Sequence, residues 1–113
     1  MDFDLEDRTL KFAKNCLDLC KQLQKDVISL ELVKQFVRAC CSVGANYREA
    51  NDTITKKDFL HKIAICRRES KESKYWLELL LHTNPNFKLQ IEPLIDESHQ
   101  LARIFASIGA KKK

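Results

Sequence analysis

A chain of 113 residues with 44% hydrophobic side chains has the size of one domain, and its two glycines and two prolines favour an all-α class. The formal net charge of +4 is mild. No stretch approaches the ~20 apolar residues of a membrane span, and the acidic first seven residues do not resemble a signal peptide. We therefore expect a cytoplasmic protein whose five cysteines are reduced.

The apolar residues recur every three or four positions, which is the spacing of helices that bury one face. The pattern predicts four helices over residues 4–24, 30–51, 55–82 and 90–108, within a domain of residues 1–110, and a basic tail at 111–113. Ser29 is the predicted N-cap of the second helix, and Thr55 with Asp58 fits a capping box at the third. Pro93 is tolerable only in the first turn of the fourth helix, and Gly109 is predicted to end it.

Short connections between amphipathic helices predict an antiparallel up-down four-helix bundle. Gly44 lies inside the second predicted helix, where glycine costs about 1 kcal/mol relative to alanine. It either allows another backbone to approach closely or is a tolerated weak position, and the sequence leaves both explanations open.

The third predicted helix carries two apolar lines. The main line has the 4-3 spacing of a packing seam. A second line, formed by Ile65, Trp76 and Leu79, is expected to be an oligomer interface, unless Trp76 only covers the edge of the core. The residues of the main line are Phe59, Ile63, Cys66, Ser70, Ser73, Leu77 and Leu80.

No motif indicates an enzyme or a cofactor. The chain has no glycine-rich phosphate loop and no recognisable set of nucleophile, base and acid. The cysteines and the three histidines lack the spacing of a zinc site, and we expect the cysteines to be packed as small apolar side chains. We therefore predict no catalytic residue, no metal ligand and no cofactor.

Positive charge is concentrated in residues 32–68, which carry eight basic and three acidic side chains, a local charge of +5. Such a stripe can attract phosphate, although a solvated helix face is the commoner explanation. Only Tyr47 and Tyr75 could stack on bases, so binding would be led by the nucleic-acid backbone and sensitive to salt. The candidate nucleic-acid contacts are Arg48, Lys56, Lys57, Arg67 and Arg68.

The function predicted from these observations is a non-enzymatic, oligomeric bundle that binds RNA or a ribonucleoprotein through a basic surface. The alternative is a protein-interaction scaffold with no role in nucleic-acid binding, which the second apolar line of the third helix favours.

The chain also carries a specific pattern of residues, which is densest in its middle. The pattern consists of Gln35, Arg38, the run from Gly44 to Ala50, Asp58, Phe59, Lys62, Glu69, Glu72, Tyr75, Trp76, Leu77, Glu97, Leu101 and Ile104. With these residues the chain resembles the bacterial four-helix bundle family that is encoded in intervening sequences of 23S rRNA genes and is also called the S23 ribosomal protein family. The sequence departs from the family pattern at residues 39–41, where Ser-Gly-Thr is more usual, and at Ser73, where threonine is common.

The resemblance implies a ring-shaped homopentamer of four-helix bundles. A related branch of the family serves as the accessory protein of diversity-generating retroelements, which implies RNA or a nucleic-acid-bound protein as a partner and no membrane. The run of residues 44–50 looks like a ligand-binding motif, but its polar side chains are more simply explained as partners of one another between approaching helices.

Overall fold

Four helices make up the computed structural model, which describes residues 4–112. Helix α1 spans Leu5–Gln22, α2 spans Val27–Asn51, α3 spans Lys56–Thr83 and α4 spans Lys88–Lys112, with a 3-10 turn at Pro85–Phe87 before α4. No strand occurs between residues 4 and 112. The predicted all-α fold class with four helices is confirmed.

Successive helices run antiparallel. The end of α2 lies beside the start of α3, because Lys62 Nζ is 2.6 Å from a carboxylate oxygen of Glu49. In the same way, Gly109 near the end of α4 lies 3.9 Å, measured from an ideal Cβ, from Ile63 near the start of α3. Helix α1 packs against α2 and α4, whereas α1 and α3 lie diagonally without close backbone contact in the described part of the chain. The result is an elongated bundle of 45 × 24 × 19 Å.

Polar side chains cap the first three helices. Asp4 accepts hydrogen bonds from the backbone N–H groups of Glu6 and Asp7 at the start of α1. Thr55 accepts one from Asp58 N at 3.1 Å, as the capping box predicts. The predicted cap of α2 was wrong, because α2 begins at Val27 and Asp26 accepts the hydrogen bond of Ser29 N at 2.8 Å.

Helix α4 is longer at both ends than the sequence pattern predicts. It begins at Lys88, so Pro93 is its sixth residue rather than a residue of its first turn. Pro93 has no N–H to donate to the carbonyl of Leu89, which loses one helical hydrogen bond. Gly109 does not end the helix, which continues to Lys112. Residues 111 and 112 therefore continue α4 rather than form a tail, and Lys113 lies outside the described residues.

The predicted main apolar line of α3 lies in the core. The main line of α3 is buried from Ile63 to Leu80, and Phe59 at its start is partly buried. Ser70 and Ser73 are fully buried within that line, and each hydroxyl donates to the carbonyl four residues earlier in α3. These small, internally satisfied side chains allow the neighbouring helices to pack closely without leaving an unpaired polar group.

Candidate nucleic-acid interface

The segment of residues 44–50 joins α2 to its neighbours. Gly44 lies against Thr9 of α1, where an added Cβ would be 2.9 Å from Thr9 Oγ1. Close approach of α1 is therefore the reason for this glycine. Arg48 reaches to within 3.9 Å of Glu6 on α1, and Ala50 is buried in the core. Together with the Glu49–Lys62 pair, these contacts favour the structural explanation of the segment over a ligand-binding one.

The predicted nucleic-acid residues do not form one continuous patch. Arg48 faces Glu6 of α1. Lys56, at the start of α3, lines a depression at one end of the bundle together with Lys111 of α4. Lys57 is exposed beside it in the first turn of α3. The depression is also lined by Thr53 and Thr55 of the α2–α3 connection.

Arg67 and Arg68 lie in the middle of α3 on adjacent faces. Arg68 is mostly exposed, and its guanidinium is 3.5 Å from the carboxylate of Glu69. An exposed pair at that distance contributes little to stability and leaves the charge available to solvent. Arg67 is also exposed and projects into a groove between α3 and α4.

This α3–α4 groove has a volume of about 300 Å³. Three cations of α3 and one of α4 line it, together with three small side chains of α4. None of the four cations has an ion-pair partner among residues 4–112, in contrast to Lys62, which is held by Glu49. The cations are Arg67, Lys71, Lys74 and Arg103, and the other lining residues are Ser98, His99, Ala102 and Ala106.

Helical spacing explains how the groove acquires its charge. Arg67, Lys71 and Lys74 stand at positions i, i+4 and i+7 and therefore share one face of α3. Counting the net charge of chain segments did not identify this face of α3, because residues 69–113 carry a net charge of only +1. The spacing of the three basic residues is the signal that could have identified Lys71 and Lys74. Arg103 could be found only by knowing which face of α4 packs beside α3.

Acidic side chains limit the basic groove at one end. Beyond Lys74, the neighbouring depression is lined by Glu92 and Asp96 with Ile95 and His99. Asp96 accepts a hydrogen bond from Gln100 Nε2 at 2.7 Å. A polyanion following the groove would therefore be attracted between Arg103 and Lys74 and repelled beyond them.

The second apolar line of α3 is only partly buried in the single chain. Ile65, Trp76 and Leu79 all keep some exposed surface. Trp76 packs against the core, yet its Nε1 is buried and has no hydrogen-bond acceptor among the described residues. A buried N–H without an acceptor costs free energy and calls for an explanation, such as an acceptor supplied by another chain.

Two of the five cysteines depart from the expected burial. Cys41 is exposed and Cys20 is partly buried, because both lie at the margin of the α1–α2 contact rather than within the core. Burial raises the pKa of Cys66 to about 12 and that of Cys20 to about 12. Cys16 and Cys40 are buried, and desolvation raises the pKa of Cys16 above its usual range. No group of three cysteine, histidine or acidic side chains within residues 4–112 is arranged to hold a metal ion.

These features define an all-helical bundle with a basic groove and, within residues 4–112, an indole N–H without an acceptor on a second apolar surface. No helix between residues 4 and 112 is both long and apolar enough to cross a lipid bilayer.

The sequence matches the 23S rRNA-intervening sequence protein family over residues 1–107, and the chain belongs to that family. A similar solved structure is a protein of unknown function from the S23 ribosomal protein family of Bacteroides thetaiotaomicron VPI-5482. It is 33% identical, with a TM-score of 0.84 over 94% of this chain and 98% of the other. No curated protein matches the chain. The family resemblance seen in the sequence is confirmed.

Proposed function

We propose that this protein is a non-enzymatic, oligomeric helical bundle that binds RNA through the α3–α4 groove. The observation that carries the proposal is the set of four cations, Arg67, Lys71, Lys74 and Arg103, which line one groove without ion-pair partners in residues 4–112. Unpaired cations on one surface can neutralise several phosphates, and the released counterions supply binding free energy. Membership in a family named for an intervening sequence of 23S rRNA is consistent with an RNA partner.

The shape of the groove suits a nucleic-acid backbone better than a small anion. The rise of a helix places Arg67 and Lys74 ~10 Å apart along α3, so they would contact different phosphates of one strand. The small side chains Ser98, Ala102 and Ala106 line the α4 side of the groove. Lys57 and Arg68 extend the positive charge along the outer side of α3 towards the depression at Lys56 and Lys111.

Fluorescence anisotropy of a labelled single-stranded RNA oligonucleotide tests this proposal. The wild-type protein should bind at ~50 mM salt and lose affinity steeply by ~200 mM salt. The triple variant Arg67→Ala/Lys71→Ala/Lys74→Ala should bind more weakly, and its slope of log K against log salt concentration should be smaller by about 2.

Helix α1 offers a matched control with the same change in charge. The triple variant Lys11→Ala/Lys14→Ala/Lys21→Ala removes three exposed cations from the helix that lies diagonally opposite α3. It should keep nearly all of the affinity and the salt slope of the wild type. Equal losses in the two triple variants would mean that net charge alone governs binding, and no binding at low salt would reject the function.

We also propose that the second apolar line, Ile65, Trp76 and Leu79, is covered by a second copy of the chain, in the homopentamer that the family resemblance implies. The unsatisfied Nε1 of Trp76 supports a contact at this surface. Light scattering of the purified protein should give five times the mass of one chain. A particle of one chain mass at high protein concentration would contradict the assembly.

A cytoplasmic location is part of the same proposal. All five cysteines are unpaired, which suits a reducing compartment, where disulfides are rare.

A protein-interaction scaffold without nucleic acid is the second candidate. It is favoured by Val27, Ile28 and Leu30 at the start of α2, which are 81%, 63% and 52% exposed. Val27 and Ile28 line a depression with His82 and Thr83 of α3, so an apolar partner surface could be covered there. Partners that copurify after nuclease treatment, and that are lost on changing Ile28→Asp, would support the scaffold. RNA binding that depends on the groove cations would favour the first function.

A further inference from the structure

We propose that the α3–α4 groove binds the end of an RNA strand, with a terminal phosphate monoester held among Lys71, Lys74 and Arg103. This inference rests on the RNA-binding function proposed above and concerns the part of an RNA that the same surface takes. Its separate basis is a reversal of charge along the groove, which occurs on both helices.

The charge along α3 changes sign after Lys74. Arg67, Lys71 and Lys74 share one face of the helix, and Glu78 continues that face four residues after Lys74. Glu78 is exposed and forms no ion pair among residues 4–112. The groove face of α3 therefore carries three cations followed by an anion.

Helix α4 changes sign at the same level. Gly109 of α4 lies beside Ile63 of α3, and the two helices run antiparallel. Counted from that contact, Arg103 is level with the α3 cations, and Asp96 is level with the point where α3 becomes acidic. Asp96 lines the depression next to the groove, and its hydrogen-bond donor is the neutral side chain of Gln100. Both helices therefore pass from positive to negative at one position along the groove.

The short basic part of the groove favours a strand that stops within it. Arg67 and Lys74 are ~10 Å apart along α3, a length that holds about three phosphates at the ~3.4 Å axial spacing of one strand in a duplex. A strand that continued past Lys74 would place its next phosphates beside Asp96 and Glu78, where like charges repel. A strand that ends at Lys74 avoids this repulsion and can leave the groove past Arg67, towards the depression at the start of α3.

A terminal phosphate matches the charge of this part of the groove. A phosphate monoester carries about −1.5 to −2 charges at pH 7, whereas an internal phosphodiester carries a single charge. Lys71, Lys74 and Arg103 line the groove together, and none of them has an ion-pair partner among residues 4–112. The more highly charged end of a strand therefore gains more free energy there than an internal phosphate does.

Anisotropy titrations at low salt, with one RNA sequence labelled at an internal base, test the inference. The RNA is prepared with a 5′-phosphate, with a 3′-phosphate, or with hydroxyls at both ends. A phosphorylated end should raise the affinity about 3- to 10-fold, and the end with the larger gain identifies the direction of the strand. A hydroxyl-ended strand that is two nucleotides longer has about the same total charge as the phosphorylated strands, and it should gain much less.

The variant Glu78→Gln/Asp96→Asn removes the acidic groups and keeps the shapes of both side chains. It should bind hydroxyl-ended RNA more tightly than the wild type, because a strand can then continue past Lys74, and its preference for a phosphorylated end should fall. Asp18→Asn/Glu31→Gln is the matched control, since it neutralises one exposed aspartate of α1 and one exposed glutamate of α2. The control should keep the wild-type preference, and thermal melting checks that both variants are folded.

Equal affinity for phosphorylated RNA and for the charge-matched, hydroxyl-ended RNA would overturn the inference while leaving RNA binding intact. An unchanged preference in Glu78→Gln/Asp96→Asn would also overturn it, because these acids would then not determine where the strand ends. Absence of binding to every form of the RNA at low salt would overturn both proposals together.

Discussion

Gly44 of α2 and Thr9 of α1 approach so closely that a Cβ on Gly44 would lie 2.9 Å from Thr9 Oγ1 and 3.2 Å from Thr9 Cβ. The hydroxyl cannot turn away without loss, because it donates to the carbonyl of Leu5 at 2.7 Å. Thr9 is fully buried, so the backbone of α1 is the part that would have to move. Helix packing therefore requires glycine at a position where helix propensity disfavours it.

Gly44→Ala should lower the free energy of unfolding by about 1–2 kcal/mol, because overpacking outweighs the ~1 kcal/mol gain in helix propensity. Chemical denaturation measures the change. The double variant Gly44→Ala/Thr9→Ala removes the obstructing hydroxyl, and its loss should be smaller than the sum of the two single losses. Additive losses, or a more stable Gly44→Ala variant, would show that the approach does not constrain position 44.

The start of α2 shows how far sequence reasoning reaches. The apolar periodicity identified α2 itself, since periodic burial is a property of the helix. Its N-cap was predicted wrongly, because Asp26 and Ser29 are both good capping residues. The first two residues of α2, Val27 and Ile28, are exposed, so they do not belong to the buried face that the apolar pattern follows. The structure distinguishes the two capping candidates, because Ser29 is buried and its Oγ accepts a hydrogen bond from Asn84 Nδ2 at 3.4 Å.

Asp26→Ala should therefore lower the free energy of unfolding by about 1 kcal/mol, because Ser29 N loses its acceptor. Asp26→Asn keeps a side-chain oxygen and should cost less. Ser29→Ala leaves the cap intact and should cost less than Asp26→Ala in the same denaturation assay. A larger loss in the free energy of unfolding for Ser29→Ala than for Asp26→Ala would indicate that Ser29 is the N-cap.

The candidate site was harder to predict than the fold for a similar reason. Arg67 was identified from local charge, but the groove also needs Arg103, which is distant in sequence and reaches it only because α3 and α4 are neighbours. Arg48 lies in the same basic segment of the sequence as Arg67, yet the fold places it at the α1–α2 contact beside Glu6. Charge along a sequence shows how many cations are present, and packing of the helices decides which of them share a surface.

One bidentate ion pair joins α1 to α4. Arg8 Nε and Nη2 donate to the two carboxylate oxygens of Glu97 at 2.7 and 2.8 Å, and Nη2 also reaches Gln100 at 3.0 Å. The hydrogen bond to Glu97 raises the pKa of Arg8, so the guanidinium stays charged. Arg8→Lys cannot reproduce the paired geometry and should lower the free energy of unfolding by about 1 kcal/mol.

A second ion pair serves as the control for Arg8→Lys. Lys88 and Glu92 are 3.9 Å apart within α4, and both are more than half exposed. Lys88→Ala should change the free energy of unfolding by less than ~0.5 kcal/mol. Similar losses for both variants would mean that the Arg8–Glu97 pair contributes no more than an ordinary surface pair.

Cys41 should be the cysteine that reacts fastest with a thiol reagent in the native protein, because it is exposed while Cys16, Cys40 and Cys66 are buried. Partial burial, together with the neighbouring Cys40, raises the pKa of Cys41 above its usual value. The thiolate is the reactive form, so the rate should still be rising with pH at the ordinary thiol pKa of ~8.5. Mass spectrometry should find one rapid modification, which Cys41→Ser removes; rapid labelling of Cys66 would contradict the packing of α3.

Trp76→Phe separates the role of the indole in the single chain from its role in assembly. In one chain Nε1 is buried without an acceptor, so Trp76→Phe costs no hydrogen bond there and should lower the free energy of unfolding only by the packing that the smaller ring loses against the core. If a neighbouring copy supplies the acceptor, the variant leaves that group unpaired, and the oligomer should dissociate at a higher protein concentration. Sedimentation across a dilution series measures this shift, with Leu10→Ala, an exposed change on α1, as the control. Equal dissociation of wild type and Trp76→Phe would mean that no neighbouring copy accepts the indole N–H.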